Sequence, residues 1–497
     1  MSPRGIPLAA GSHPRAKAGG AAVSQSVACP PRSHSRLRTL SADSLVVAVL
    51  SPFLALTSDY VPRILLAVVI LDIPFQFGTH LFYREDAAAL GALGGLSISA
   101  TTIALAGLYA SWFMRSQANR NSEARPSLHM NLALLLYLAI TAVSMAVAQD
   151  VSLSLFEVFL LLEACLVYFY VANNVRTRQD VLFVVSLLLM ACLLESLVMI
   201  VLRFTGMPST IGGAPTHIHI DTDPRGGMRI GGTVGSSNFA AAYLSISLAL
   251  AASMLFTNLG RARKWLATLV LALGGVALIF TFSRGGWMAL ALSVTLICLV
   301  GWRRRGFSLK TPIALLLILG MLYLPFQSVI SARLFGDDNG SAQSRVPLMK
   351  LAFRIIEDNP VLGVGANNFT VVMDRYLTPD FRHSFLFAVH NKYLLVLSET
   401  GIAGLLAFLA FLLDAFRKGW QCWTRQDAVL SPIALGLAAG IAGHLVHMNV
   451  DVFRGRPTQQ MLWLVAGLLT AMLRICRSKP SAGLHQAIFS PTSQTIP

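Results

Sequence analysis

SARLFGDDNGSAQSRVPLMKLAFRIIEDNPVLGVGANNFTVVMDRYLTPDFRHSFLFAV, residues 331–389, is a polar island in an otherwise apolar chain. It carries six basic and six acidic side chains, so its net charge is zero and nothing opposes its passage across a membrane. Within it, Leu348, Met349, Ala352, Ile355 and Ile356 recur at helical spacing. That predicts an amphipathic helix from an N-cap at Ser344 to about Glu357. Arg354 and Asp358 stand at i and i+4 and are expected to pair. Pro360 and the Gly363-Val364-Gly365 turn would end the helix. Such a helix suits a lid on a membrane surface, and a lid is compatible with a catalytic role.

Outside the island the composition excludes an ordinary soluble fold. The 497 residues are 55% hydrophobic and 12% charged, with a mean hydropathy of +0.64. Soluble chains carry about 25% charged residues. The net charge of +16 invites a nucleic-acid reading, but the basic residues fall in short clusters between apolar runs. That is the positive-inside pattern of a membrane protein, and no nucleic-acid partner is expected. The six cysteines form no CxxC and avoid the large polar loops, so neither a disulfide framework nor a zinc site is expected.

Apolar segments lie at about 44–57, 62–78, 87–113, 130–148, 152–173, 181–204, 237–257, 265–282, 285–302, 311–330, 390–416, 431–450 and 459–475. If the spans from 130 onward alternate, the clusters containing Arg115, Arg176, Arg261, Arg303, Arg417 and Arg474 share one side, assigned to the cytoplasm. Three crossings before Arg115 would put the basic N-terminus outside. The two short segments between 44 and 78, interrupted by Pro52, Pro62 and Pro74, are therefore counted as one broken or re-entrant element. The predicted fold is an all-α polytopic membrane protein of about twelve transmembrane helices with one large periplasmic loop. Its parts are a basic tail (1–42), a transmembrane domain (43–476) and a short tail (477–497). The first tail fits disordered cytoplasmic chain, a transit peptide or an early start codon equally well. Outward loops are expected at about 205–236, 331–389 and 450–458.

Arg284 falls in TFSRGGW at the outer junction of two spans. An arginine there must snorkel or find a partner, so it binds an anion or serves structure. Arg229 precedes the helix-start types Ser236, Ser237 and Asn238, and an arginine beside a helix N-terminus is a phosphate-binding arrangement. His390, followed by Asn391, Lys392 and Tyr393, opens a membrane helix, and its ordinary pKa suits a general base. His217, His219, Asp221 and Asp223 alternate as on one face of a strand, and a solvated loop is the better reading there than a metal site. His444, His447 and Asp451 fall at i, i+3 and i+7, as the polar wall of an outer cavity or, less simply, a zinc site. Glu157, Glu163 and Glu195 sit within spans and are functional suspects.

Four stretches together resemble the O-antigen ligase/polymerase family of bacterial envelope enzymes. They are RIGGTVGSSNFAAA (229–242), TFSRGGWMAL (281–290), RVPLMKLAFRIIEDNPVLGVGANNF (345–369) and HNKYLLVLSETGIAG (390–404), a core of about 229–404. The resemblance implies a helical fold akin to the C-type glycosyltransferases, in the bacterial inner membrane with its site facing the periplasm. It implies transfer of a glycan from undecaprenyl diphosphate to a glycan or lipid acceptor, without metal or nucleotide cofactor. By position, Arg229 and Arg284 match the diphosphate-binding arginines, His390 the base, and Arg345 the arginine opening the loop helix. Asn238, Asn391 and His447 are expected to line the substrate site. Ser236-Ser237-Asn238 departs from the family's more usual Asn/Asp-Pro-Asn. A repeat-unit polymerase of the same family, or a flippase for polyprenyl-linked glycans, would carry similar arginines.

Overall fold

The computed structural model describes residues 60–118, 128–211, 214–220, 228–302, 310–335, 343, 345–378 and 386–478. The segment 44–57, the tail 1–42, most of 477–497, Ser344, Asp221 and Asp223 lie outside these residues. Apolar runs become helices: α1 (Tyr60–Phe75), a short α2 (Glu85–Ala89), α3 (Ala100–Ala118), α4 (Leu132–Ser144), α5 (Val151–Asn174), α6 (Arg178–Thr205) and α7 (Ser237–Met254). They continue with α8 (Arg261–Phe280), α9 (Arg284–Trp302), α10 (Lys310–Phe335), α11 (Arg345–Asp358), α12 (Phe369–Val372), α13 (Lys392–Thr424), α14 (Leu430–His447) and α15 (Arg456–Ser478). Among the described residues eight helices, α5 to α9 and α13 to α15, are long and apolar enough to cross a membrane. The outward faces are apolar as well, with Leu155, Leu194, Leu299 and Leu413 exposed. A soluble bundle would turn charged residues outward. The chain is a mostly helical, polytopic membrane protein.

The apolar stretch 87–113 does not run as one helix. Gly91, at φ +90, and Gly94-Gly95 interrupt it, and the helix proper begins only at Ala100. The intervening chain forms a hairpin of β1 (Gly78–Leu81) with β2 (Leu96–Ser99). A second hairpin pairs β3 (Thr210–Ile211) with β4 (Ala214–Pro215), and a third pairs β5 (His217–Ile220) with β6 (Met228–Gly232).

Helices α7 and α14 form the centre, and their small residues let them approach closely. A Cβ on Gly436 would meet Ser253 Oγ of α7 at 2.0 Å, and one on Gly443 would meet the Ala289 carbonyl oxygen of α9 at 2.3 Å. Small residues at such contacts are the usual means of packing membrane helices. Long-range polar contacts define two ends of the bundle. At one end Arg63 meets Asp180, Arg178 meets Asp427, and Arg477 meets Gln421. The opposite end carries the hairpins and the island.

The island folds onto that opposite end. In α11, Leu348, Leu351, Ala352 and Ile355 are buried against Phe369, Val372, Val389 and Val452. The expected Arg354–Asp358 pair does not form. Arg354 donates instead to the Tyr376 carbonyl (3.2 Å) and to Thr378 Oγ1 (3.3 Å), which ties α11 to the chain that follows it. The island's glycine turn then plugs into a break in α13. Gly401 there has φ 68 and ψ −172, which frees carbonyls of the preceding turn. Val364 N donates to the Ser398 carbonyl (2.9 Å) and Gly365 N to that of Glu399 (3.0 Å). A side chain on Gly401 would strike the Val361 carbonyl oxygen at 2.0 Å, so this join requires glycine.

Charges inside the bundle are matched. Arg454 is 3% exposed and pairs with Glu399 and with Glu157, the latter at 3.5 Å. The Lys392 ammonium lies within electrostatic reach of both acids. Asp72 accepts from Arg456 (2.9 Å) and from Thr101 Oγ1 (2.7 Å). Glu163 accepts from Thr102 (2.5 Å) and Gln460 (3.0 Å), and Glu195 accepts from Thr233. Replacing Arg454 by leucine would leave two buried carboxylates facing only Lys392. Such a loss costs about 3–5 kcal/mol. Thermal unfolding of detergent-solubilised Arg454→Leu should show a clear fall in melting temperature, and an unchanged value would contradict the pairing.

Candidate active site

The candidate site gathers where β6, the α8–α9 turn, α10, α11 and the α14–α15 connection meet. Its geometry starts at Gly231-Gly232. A Cβ on Gly231 would lie 1.8 Å from the Gly235 carbonyl oxygen, and one on Gly232 would lie 1.9 Å from Glu195 Oε1. This tight turn, held by Glu195 on Thr233 N at 2.8 Å, delivers the chain to the start of α7. Ser236 caps that helix by accepting from Phe239 N (3.2 Å).

Arg229 on β6 spans the gap between two elements. Its Nε donates to the Thr281 carbonyl (3.1 Å) and its Nη2 to Asn238 Oδ1 (3.0 Å). The Thr281–Ser283 turn that it grips holds Phe282 at φ 51, the left-handed region that non-glycine residues seldom adopt. Arg284 follows as the first residue of α9, and its Nε donates to the Arg333 carbonyl (2.7 Å). Arg333 returns the contact, with its Nε donating to the Phe282 carbonyl (3.3 Å). The Arg229 and Arg333 guanidinium groups therefore bond to one strained turn, and Arg284, directly after it, bonds to Arg333.

The second half of the site is built from α13 and the end of α14. Asn391 caps α13, accepting from Tyr393 N and Leu394 N (both 3.0 Å) and donating to the Asn449 carbonyl (3.2 Å). Lys392 N donates to the Met448 carbonyl (2.8 Å). These bonds fix His390 one residue ahead of the cap. His390 stacks at 5.2 Å from the Phe387 ring, and its Nδ1 is buried without a partner among the described residues. Burial pushes the imidazole below the ordinary histidine range; Asp451 opposes that shift, and Arg345 at the start of α11 adds to it. Asp451 accepts from Asn238 Nδ2 (2.5 Å) and from Val452 N (2.7 Å). A continuous path thus runs from Arg229 through Asn238 to Asp451, whose charge acts on His390.

His447 packs across the same floor. Its Nε2 lies 3.4 Å from Ser283 Oγ, and its ring fills the space left by Gly285. Phe453, at φ 41, sits against His447 (4.7 Å) and His444 (4.9 Å).

The structure brings Arg229, Asn238, Arg284 and His447 together around the Thr281–Ser283 turn, and sets His390 and Arg345 within electrostatic reach of Asp451 and His447, respectively. It commits the Asn391 side chain to the cap. Asp451 is not on one helix face with His444 and His447, because α14 ends at His447 and Asp451 lies in the connection beyond. Among the described residues, no group of three or more His, Cys, Asp or Glu is placed to hold a metal ion. His217 and His219 do lie on a strand, β5, paired across from Gly232 and Arg229. Burial lowers the pKa of His217.

Sequence reasoning overlooked Arg333, which the island reading places in a loop. Helix α10 runs through it to Phe335, so a helix-final arginine facing TFSRGG was the available signal. Asp451 was noticed only in a histidine pattern, and its tie to Asn238 spans 213 residues.

A polytopic helical bundle thus carries, at one end, Arg229, Arg284 and Arg333 around one turn and the half-buried His390 at the start of α13. Residues 267–409 match the model of the family described as O-antigen ligase. That stretch, less than a third of the chain, is similar to the O-antigen ligase family. No curated protein matches it. A solved structure titled "Structural coordination of polymerization and crosslinking by a peptidoglycan synthase complex" aligns at 17% identity and TM-score 0.38, over 71% of this chain and 100% of that one.

A Cβ on Gly285 would come within 2.4 Å of His447 Cδ2. Gly285→Val should cost about 1–3 kcal/mol through overpacking. Thermal unfolding checks this, and wild-type stability would contradict the close approach.

Proposed function

We propose that the chain transfers a glycan from a polyprenyl-diphosphate carrier to an acceptor hydroxyl at the non-cytoplasmic face of the bacterial inner membrane. The helices α1, α3 to α10 and α13 to α15 are read as the crossings, about twelve in all, with α1, α3, α4 and α10 as the less regular ones. The island then faces the periplasm and the basic end faces the cytoplasm. The observation that carries the reading is the clustering of Arg229, Arg284 and Arg333 around one turn, linked through Asn238 and Asp451 to the half-buried His390.

The chemistry follows from these groups. The acceptor oxygen attacks the anomeric carbon as the bond from that carbon to the diphosphate oxygen breaks. The leaving diphosphate gains negative charge, which arginines can meet bidentately because they do not deprotonate. In a water-poor pocket such fixed donors stabilise the developing charge. The acceptor proton passes to His390. Asp451, held by Asn238, stabilises the resulting imidazolium. Direct displacement of this kind inverts the anomeric centre. Neither metal nor nucleotide is required.

Transfer from a synthetic polyprenyl-diphosphate glycan tests the proposal. His390→Ala should lower turnover by at least about 100-fold while sparing donor binding. Arg284→Lys should lose about 100-fold despite keeping its charge. Full activity in either variant would remove the assigned role. The pH profile gives a signed check. A base must be neutral, and burial lowers the His390 pKa, so the acid limb should fall below the ordinary value of 6.5. Arg345→Gln removes a lowering influence and should move that limb to higher pH. Asp451→Asn removes a raising influence and should move it to lower pH.

A further inference from the structure

At the end of the bundle opposite His390, a pocket of about 270 Å³ opens between α3, α5, α15 and the chain entering α4. Trp112, His129, Asn173, Arg176, Arg474 and Ile475 line it. The glycan-transfer reading makes no use of it.

Its two arginines are positioned by backbone. Arg176 Nε donates to the Asn173 carbonyl (3.1 Å), and Arg474 Nη2 donates to the Val175 carbonyl (2.7 Å). The nearby acids pair with other side chains: Asp180, which also accepts from the Arg176 backbone N–H (3.2 Å), with Arg63, Asp427 with Arg178, and Asp414 with Lys418 at 2.6 Å. Among the described residues no carboxylate pairs with Arg176 or Arg474. The field in the pocket is positive. The pKa of His129 is lowered by burial first, and then by Arg474 and Lys418. Two guanidinium groups held in one cavity with no side-chain carboxylate partner among the described residues repel one another until an anion joins them.

The rim says which anion. Leu128 lines the pocket, and Phe113, Met130 and Leu132, close in the chain to the lining residues Trp112 and His129, are exposed with it. Trp112 adds an aromatic of the type that sits at headgroup level. A soluble phosphate would gain nothing from that apolar border, whereas a phospholipid would lay its acyl chains there and its phosphate between the arginines. Basic pockets between membrane helices on the side of positive charge are suited to anionic headgroups.

We propose that this pocket is a binding site for the phosphate of an anionic phospholipid, held by Arg176 and Arg474 with its acyl chains against Phe113, Leu128, Met130 and Leu132. The site is separate from the donor site, which lies at the far ends of α5 and α15.

The test uses the purified full-length chain in neutral detergent, titrated with dioctanoyl phosphatidylglycerol, dioctanoyl phosphatidylcholine or inorganic phosphate. Binding is read by native mass spectrometry and by melting temperature. Phosphatidylglycerol should bind at least about tenfold more tightly than either other probe, since only it offers both a net negative charge and acyl chains. Arg176→Gln and the double variant Arg176→Gln/Arg474→Gln should weaken it about tenfold or more. Arg176 is exposed, so the single variant should keep the wild-type lipid-free melting temperature. Equal binding of phosphatidylcholine, equal binding of inorganic phosphate, or equal phosphatidylglycerol binding by wild type and a folded Arg176→Gln would each overturn the proposal.

Discussion

Arg454 sits where almost no water reaches, between Glu157 on α5 and Glu399 on α13. A charge in that position is tolerated only if partners surround it. Buried ion pairs are weak sources of net stability, but they are exacting about geometry. Here the requirement falls on the eight-residue connection from Met448 to Gly455, whose flanks are held in the same way. Asp451 is bonded to Asn238 on α7, and Arg456 to Asp72 on α1. The short link between α14 and α15 thereby fixes four helices relative to each other. His390 inherits its position from this arrangement, because the start of α13 is bonded to the end of α14 through Lys392, Asn391 and Tyr393.

Two classes of charge therefore divide the labour at this end of the molecule. Those in the interior are neutralised by one another and hold the frame. The arginines around the Thr281–Ser283 turn are oriented by main-chain carbonyls and, for Arg229, by Asn238. The backbone must bend sharply to present those carbonyls. The left-handed Phe282, the left-handed Phe453 and the break at Gly401 are the places where it does so. Such strain persists only where surrounding contacts enforce it. The island contributes by locking its glycine turn into the break in α13.

Much of this was legible in the residues. Spacing in the island marked α11, because one-sided apolarity is a local property. Charge at a membrane edge singled out Arg284 and Arg229 for the same local reason. The parts that escaped are those that depend on partners far away in the chain. Glu399 and Arg454 are 55 residues apart, and Asn238 and Asp451 are 213 apart. No period or motif links such pairs. The Arg354–Asp358 expectation failed in the opposite sense, since a favourable local pair lost to a carbonyl supplied by the folded island. Gly91 and its neighbours similarly ended a helix that hydropathy alone extended.

The account stands on the island end of the bundle facing away from the cytoplasm, where a lipid-linked donor would meet the arginines. Val361, 66% exposed on the island, offers the most direct probe. In intact spheroplasts, Val361→Cys should react with a membrane-impermeant maleimide, over a background set by the unsubstituted chain. Labelling confined to inverted membrane vesicles would place the site on the wrong side and contradict the account.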